Sequence, residues 1–222
     1  MTFKVDSPSS IDTFKSFIAA SHPCVGALSA LHRGRMHFGQ FASLGGGRDV
    51  DRLRKSLQDF SSAYPKPGDE PVSFVAMFEG CADNEADFEF SMWRHLQDVT
   101  HADSAFFDWD PTVSANPASP EFSFSVGGRA YYVIGLHPSA SRIARRAPMT
   151  CLVFNFHDQF EHMRSNGKYA GFQRTIRNRD ISLQGSINPV LAQFGAASEA
   201  RQYSGRAVPS DWQCPFQSNS NP

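Results

Sequence analysis

Apolar residues at Ile11, Phe14, Phe17 and Ile18 follow Ser9–Ser10, a helical spacing behind a capping hydroxyl, and His22-Pro23 ends the run. CVGALSALHRG predicts a second short helix closed at Gly34. RMHFGQFASL alternates like a strand and stops at Gly45–Gly47. Asp49 or Asp51 then opens a helix whose apolar face is Val50, Leu53, Leu57 and Phe60. After the turn YPKPGDEP, VSFVAMFEG predicts a strand. Asn84 to about Thr100 is a long amphipathic helix that buries Phe88, Met92, Trp93 and Leu96.

FFDWDPTVSANPASP is an irregular loop held by its aromatics. EFSFSV and RAYYVIGL, joined by Gly127-Gly128, predict a β-hairpin. TCLVFNFH is a further strand, and DQFEHMRSNGKYAGFQRTIRNRD is helical with a break at Asn166-Gly167. LQGSINPVLAQFG predicts a loop and short helix, and the tail after about Pro209 is extended. No repeat or linker divides the chain. Helices first, then hairpin and strand, then helices again make a single α+β domain, with a mainly antiparallel sheet and a central hairpin flanked by helices.

Composition sharpens this picture. Hydrophobic residues are 41% of the 222 and charged residues 19%, which excludes a disordered chain and a coiled coil. Twenty Phe against five Tyr and three Trp indicate a dry interior or an apolar cavity wall. The formal net charge of −1 hides a gradient: residues 1–128 carry a balance of −7 and residues 129–206 a balance of +7, with ten of eleven cations Arg. An Arg-dominated half favours paired carboxylates or phosphates as its partners. The four cysteines have no metal-type spacing, and no apolar run reaches the ~20 residues of a membrane span. A cytoplasmic chain with reduced thiols is the expectation.

Several residue groups carry candidate chemistry. His137 follows an apolar strand and precedes Pro138, so it is supported from one side and open on the other, as a metal or haem-iron ligand requires. The plainer reading is a hydrogen-bonded loop histidine. Ser139, Ser141, Arg142, Arg145 and Arg146 offer two hydroxyls and three guanidinium groups for two propionates, or else form a solvated basic loop. His157 and Glu161 are four apart and share a helix face, which suits a non-haem iron or zinc site if a second histidine joins them. A helix cap with a surface partner is the commoner fate of such a pair. Cys24 in HPCVGA is either an exposed thiolate ligand of haem or a buried free thiol. ASEARQYSGR places Ser198, Glu199, Arg201, Tyr203, Ser204 and Arg206 where they bind a polar substrate or tie the C-terminal segment to the domain. Dinucleotide, P-loop and nucleophile-elbow motifs are absent.

The run from Trp109 to Phe216 resembles the YqcI/YcgG family, which includes haem-dependent N-oxygenases acting on guanidino nitrogens in guanitoxin and D-cycloserine biosynthesis. WDPTVSANP, FSFSVGGRAYYVIGLHPSASRIARR, LVFNFHDQFEHMR, IRNRDISLQGSINP and FGAASEARQYSGR carry the resemblance, with HPCVGALSAL matching the family's N-terminal pattern. The resemblance implies haem b, O2 and an external electron donor, with His137 as axial ligand and His157 as the alternative. Arg142, Arg145, Arg146, Ser139, Ser141 and Arg206 are then cofactor-binding. Glu199 and Glu161 are the catalytic carboxylates, and Asp110, Glu199, Arg201 and Tyr203 contact the substrate. The expected activity is hydroxylation of a nitrogen of arginine or a related small amino acid or amine. Expected partners are that small molecule and an electron-donating reductase, with no nucleic acid and no membrane, and a homodimer is compatible with this. A haem sensor or carrier without turnover and a non-haem iron enzyme built on His157 and Glu161 are the alternatives.

Overall fold

The computed structural model describes residues 9–20, 22–66, 68, 70–189 and 197–218. The chain runs α1 (Ser10–Ala19), α2 (Val25–His32), β1 (Met36–Phe41), α3 (Val50–Ala63), β2 (Ser73–Phe78) and α4 (Glu85–Asp103). Then come the hairpin strands β3 (Phe124–Val126) and β4 (Arg129–Leu136), then β5 (Thr150–Phe156), α5 (His157–Ser165), α6 (Tyr169–Gln184) and α7 (Ala200–Tyr203). Ser9 caps α1 by accepting the Asp12 amide, and Asn84 caps α4 by accepting those of Ala86 and Asp87. Gly127 and Gly128 both take positive φ, so the hairpin turn rests on them. The helix over 200–203 is an addition to the elements expected, and the short helix expected after Gly185 falls mainly on 190–196, outside the described residues.

The sheet order is β1-β2-β5-β4-β3, and every pairing is antiparallel except β1 with β2. That parallel pair is a β-α-β unit, with α3 as its crossover, inside an otherwise antiparallel α+β sheet. Strands β2 and β5 are buried on both faces, and β4 on one, with Tyr132 and Ile134 half-buried on the other, which explains their near-continuous apolar sequences.

Side-chain alternation sorts those strands into two environments. On one face Phe74, Ala76, Phe78, Tyr131, Val133, Leu152, Phe154 and Phe156 pack with Leu53, Leu57 and Phe60 of α3 and with Phe88, Met92, Trp93 and Leu96 of α4. Phe216 of the tail closes this core. On the other face Val75, Met77, Leu136, Cys151 and Val153 meet Phe14 and Ile18 of α1.

This alternation overturns the expected position of His137. Its ring shares the parity of Tyr131, Val133 and Gly135 and therefore faces α4. There it is fully buried and stacks on Phe88 with ring centroids 4.2 Å apart. Neither ring nitrogen has a hydrogen-bond partner. Burial depresses its pKa to about 4, and burial does the same to His95 beneath Gly45.

Three outcomes follow. A Cβ on Gly135 would lie 2.6 Å from Phe88 Cε1 and 3.0 Å from the Tyr203 carbonyl oxygen. Gly135→Ala therefore costs about 1–3 kcal/mol by urea unfolding, while Gly171→Ala in α6, where a Cβ meets open space, raises stability by about 0.5–1 kcal/mol. Because His95 and His137 are held neutral in the fold, stability is full above pH ~6.5 and falls as the pH drops toward 4. His137→Phe flattens that acid limb by at most about 3 kcal/mol, measured as urea midpoint against pH.

Candidate functional site

The sheet face opposite His137 carries a cavity of about 250 Å³. Its floor is Tyr132, Ile134 and Leu136 of β4 with Val153 and Asn155 of β5. Phe14 and Ile18 of α1 form one wall, with Cys24 and Gly26 at the start of α2 beside them. Phe160 and Met163 of α5 and Tyr169, Phe172 and Ile176 of α6 form a further wall, with Phe172 against Gly26, and Glu199 and Gln202 line the cavity by α7. The phenylalanine excess thus supplies both the dry core behind the sheet and the walls of this cavity.

Arg145 is the buried cation of the site. Its guanidinium donates to the carbonyls of Gly135 at 3.0 Å, Gln202 at 3.0 Å and Tyr203 at 3.2 Å. No carboxylate among the described residues pairs with it, and burial lowers its pKa. Arg142 also lines the cavity, and its charge is matched by Asp180 of α6 with help from Ser186. Two buried polar atoms of that pair, Arg142 Nε and Asp180 Oδ1, have no partner.

Glu199 precedes α7 and lies against the cavity with its carboxylate buried. One oxygen accepts from Ser123 at 3.2 Å and Tyr203 at 3.4 Å, and the other lies 3.9 Å from His157 Nδ1. Burial outweighs these contacts and pushes its pKa up to about 7, so the group takes or releases a proton near neutrality. His157 in turn meets Glu161 at 3.1 Å through Nε2, and Glu161 also pairs with Arg164. His157 and Glu161 thus do not line the cavity, although His157 lies directly against Glu199. No group of three or more His, Cys, Asp or Glu among the described residues is arranged to hold a metal ion.

Cys24 stands at the N-terminal end of α2 and is among the residues that line the cavity. Burial raises its pKa, while the Ala27 and Gly26 amides and Arg145 act in the opposite direction and favour the thiolate. His22 is also in the wall. Its Nε2 is bonded to the Ala144 carbonyl at 2.9 Å and its Nδ1 accepts the Cys24 amide at 3.2 Å, so both nitrogens are engaged in shaping the turn.

The remaining residues expected at a site are engaged elsewhere. Ser139 donates to the Ala82 carbonyl, and Ser141 binds Glu85 at the start of α4. Arg146 donates to the carbonyls of Ala140 and Ser141. Arg206 pairs with Glu89, and Arg201 holds the carbonyls of Pro209, Ser210 and Trp212. Asp110 accepts the amides of Thr112 and Ala130 and anchors the hairpin. Tyr203 is buried in the opposite core, accepting the Phe124 amide. The structure therefore brings Cys24, Arg142, Arg145 and Glu199 to one cavity, and leaves His137, Ser139, Ser141, Arg146, Arg201, Tyr203, Arg206 and Asp110 outside it.

Sequence reasoning missed Tyr132, Asn155, Asp180 and Gln202. Tyr132 donates to Gln202 at 2.9 Å, and Asn155 accepts from Ser73 at 2.7 Å. The available signal was parity: Tyr132 and Asn155 are the polar positions on the strand face that otherwise reads Ile134, Leu136, Val153.

All four cysteines are free thiols, and no helix among the described residues is long and apolar enough to cross a membrane. No curated protein and no solved structure matches the chain. The model of the YqcI/YcgG family matches residues 14–217, a span that includes every wall of the cavity from Phe14 to Gln202. The chain belongs to the YqcI/YcgG family.

Proposed function

We propose that this cavity binds haem b and hydroxylates a nitrogen, guanidino or amino, of a small amino acid or related amine. The observation that carries the reading is the gathering of complementary groups in one apolar enclosure. A thiol at a helix N-terminus, a buried guanidinium with no carboxylate partner among the described residues, and a carboxyl whose pKa burial raises to about 7 belong to residues that line it.

The polar groups would suit the cofactor, although a tetrapyrrole is larger than the enclosed volume of about 250 Å³ and would have to extend through the cavity's open mouth. In this reading Cys24 would hold the iron in place of His137 and His157, because it lines the cavity; the Gly26 and Ala27 amides and Arg145 favour its thiolate, against a burial that leaves the pKa raised, and iron binding would have to supply the rest. Arg145, which no carboxylate among the described residues neutralises, would supply positive charge for a propionate, while Arg142 is already matched by Asp180 and offers only its unpartnered Nε–H. Bound there, haem supplies the activation of O2 with two electrons from an external donor, and one oxygen atom leaves as water.

The chain's own groups do the rest. Phe14, Ile134, Leu136 and Phe172 exclude water from the reacting nitrogen. As a carboxylate, Glu199 attracts a cationic nitrogen. Its pKa near neutrality then lets it hold the proton that the nitrogen must release to expose its lone pair. Tyr132, Gln202 and Asn155 supply hydrogen bonds that orient a polar substrate over the sheet floor.

Hemin reconstitution of two variants tests the ligand. Cys24→Ser loses the red-shifted ferrous–carbonyl band of thiolate ligation, whereas His137→Phe keeps it. A Cys24→Ser protein with an unchanged carbonyl spectrum contradicts the assignment. Glu199→Gln binds hemin normally and turns over an arginine-type substrate about 10²-fold more slowly. Equal turnover removes Glu199 from proton transfer.

A further inference from the structure

Helix α6 turns a polar stripe toward the cavity. Gln173, Arg177 and Asp180 recur at i, i+4 and i+7 of the helix, and all three line the cavity beside the apolar Phe172 and Ile176. Asp180 is only 4% exposed. Its Oδ2 accepts from the Arg142 guanidinium and from the Asn188 amide at 3.2 Å, while its Oδ1 is buried without a hydrogen-bond partner. Arg177 is half-buried, and its Nε is likewise buried without a partner. No carboxylate among the described residues pairs with the Arg177 guanidinium, and Asp180, one turn away, forms no ion pair with it.

A buried acceptor and a buried donor left unmade each cost free energy, and a ligand that satisfies both recovers it. The other cations of the cavity are engaged. Asp180 matches Arg142, Glu161 matches Arg164, and Arg145 is held by three main-chain carbonyls. Arg177 is therefore the guanidinium of the α6 wall that calls for an outside anion. Asp180 Oδ1 keeps its lone pairs although Oδ2 is occupied, so it calls for an outside N–H. A simple anion would leave Oδ1 unpaired, and a simple amine would leave Arg177 unpaired. A ligand with a carboxylate and an ammonium on one carbon satisfies both, because residues three apart on a helix are neighbours.

We propose that Arg177 and Asp180 read the head group of an α-amino acid, with the Arg177 guanidinium taking its carboxylate and Asp180 Oδ1 its ammonium. They select the amino acid over the amine that lacks the carboxylate, a choice that the apolar walls and Glu199 leave open. The assignment rests on the functional reading only for the nitrogen at the far end of the ligand, which Glu199 meets. The head-group contacts themselves need no cofactor.

The test is isothermal titration of the full chain without cofactor, at about pH 8, where Glu199 is ionised. L-arginine binds the wild-type chain. Agmatine, which lacks the carboxylate, and δ-guanidinovalerate, which lacks the α-ammonium, each bind at least about tenfold more weakly. Arg177→Gln brings L-arginine down to the level of agmatine and leaves agmatine unchanged, a split that a folding defect does not produce. Asp180→Asn weakens L-arginine and leaves δ-guanidinovalerate unchanged. Arg174→Gln, at an exposed position of the same helix, alters none of the three. Agmatine bound as tightly as L-arginine, equal loss of both ligands in Arg177→Gln, or no binding of any ligand overturns the site. Equal loss of L-arginine and δ-guanidinovalerate in Asp180→Asn overturns the ammonium contact. Hemin uptake is followed separately: a chain that discriminates the three ligands but takes up no hemin supports the head-group site and removes the haem reading, whereas one that takes up hemin without discriminating removes the head-group site alone.

Discussion

A guanidinium taken out of water must recover its solvation from other dipoles, and Arg145 recovers it from three main-chain carbonyls. One belongs to the end of β4 and two to α7. The same residue's carbonyl accepts the His137 amide, so the turn that follows β4 folds back over the strand end. This one side chain therefore joins the central hairpin to the C-terminal segment and fixes where Glu199 and Gln202 meet the cavity. It also leaves a positive charge there that no carboxylate among the described residues matches. Structural role and ligand attraction arise from the same buried cation.

The second constraint is that the central strands have no solvent face. One side is filled to density by the phenylalanines against α3 and α4, while the other is covered only by α1, the start of α2, α5 and α6, and retains an open volume. Packing on the first side holds the floor of the cavity rigid, so that Tyr132 and Asn155 present their polar atoms from fixed positions. The dry core is the support, and the looser side is the site.

Much of this was legible in the sequence. The caps Ser9 and Asn84, the glycine pair of the hairpin and the apolar face of α3 lie where local chemistry puts them, because each depends on neighbours within a few residues. The parallel pairing of β1 with β2 was not legible, since it depends on where α3 lets the chain return. His137 shows the sharper difficulty. Alternation along YYVIGLH gives its parity with Gly135, but when both faces of a strand are apolar nothing local says which one holds the cavity. The arginines divide in the same way. Arg142 and Arg145 reach the cavity, whereas Arg146, Arg201 and Arg206 complete loops and ion pairs that form only when distant segments meet.

Titration of the wild-type chain with hemin, followed by absorption in the Soret region, tests the central claim most directly. The account predicts uptake of one haem per chain, with a sharp Soret band that shifts on reduction and on addition of carbon monoxide. A spectrum that remains the sum of protein and free hemin at every ratio would contradict it.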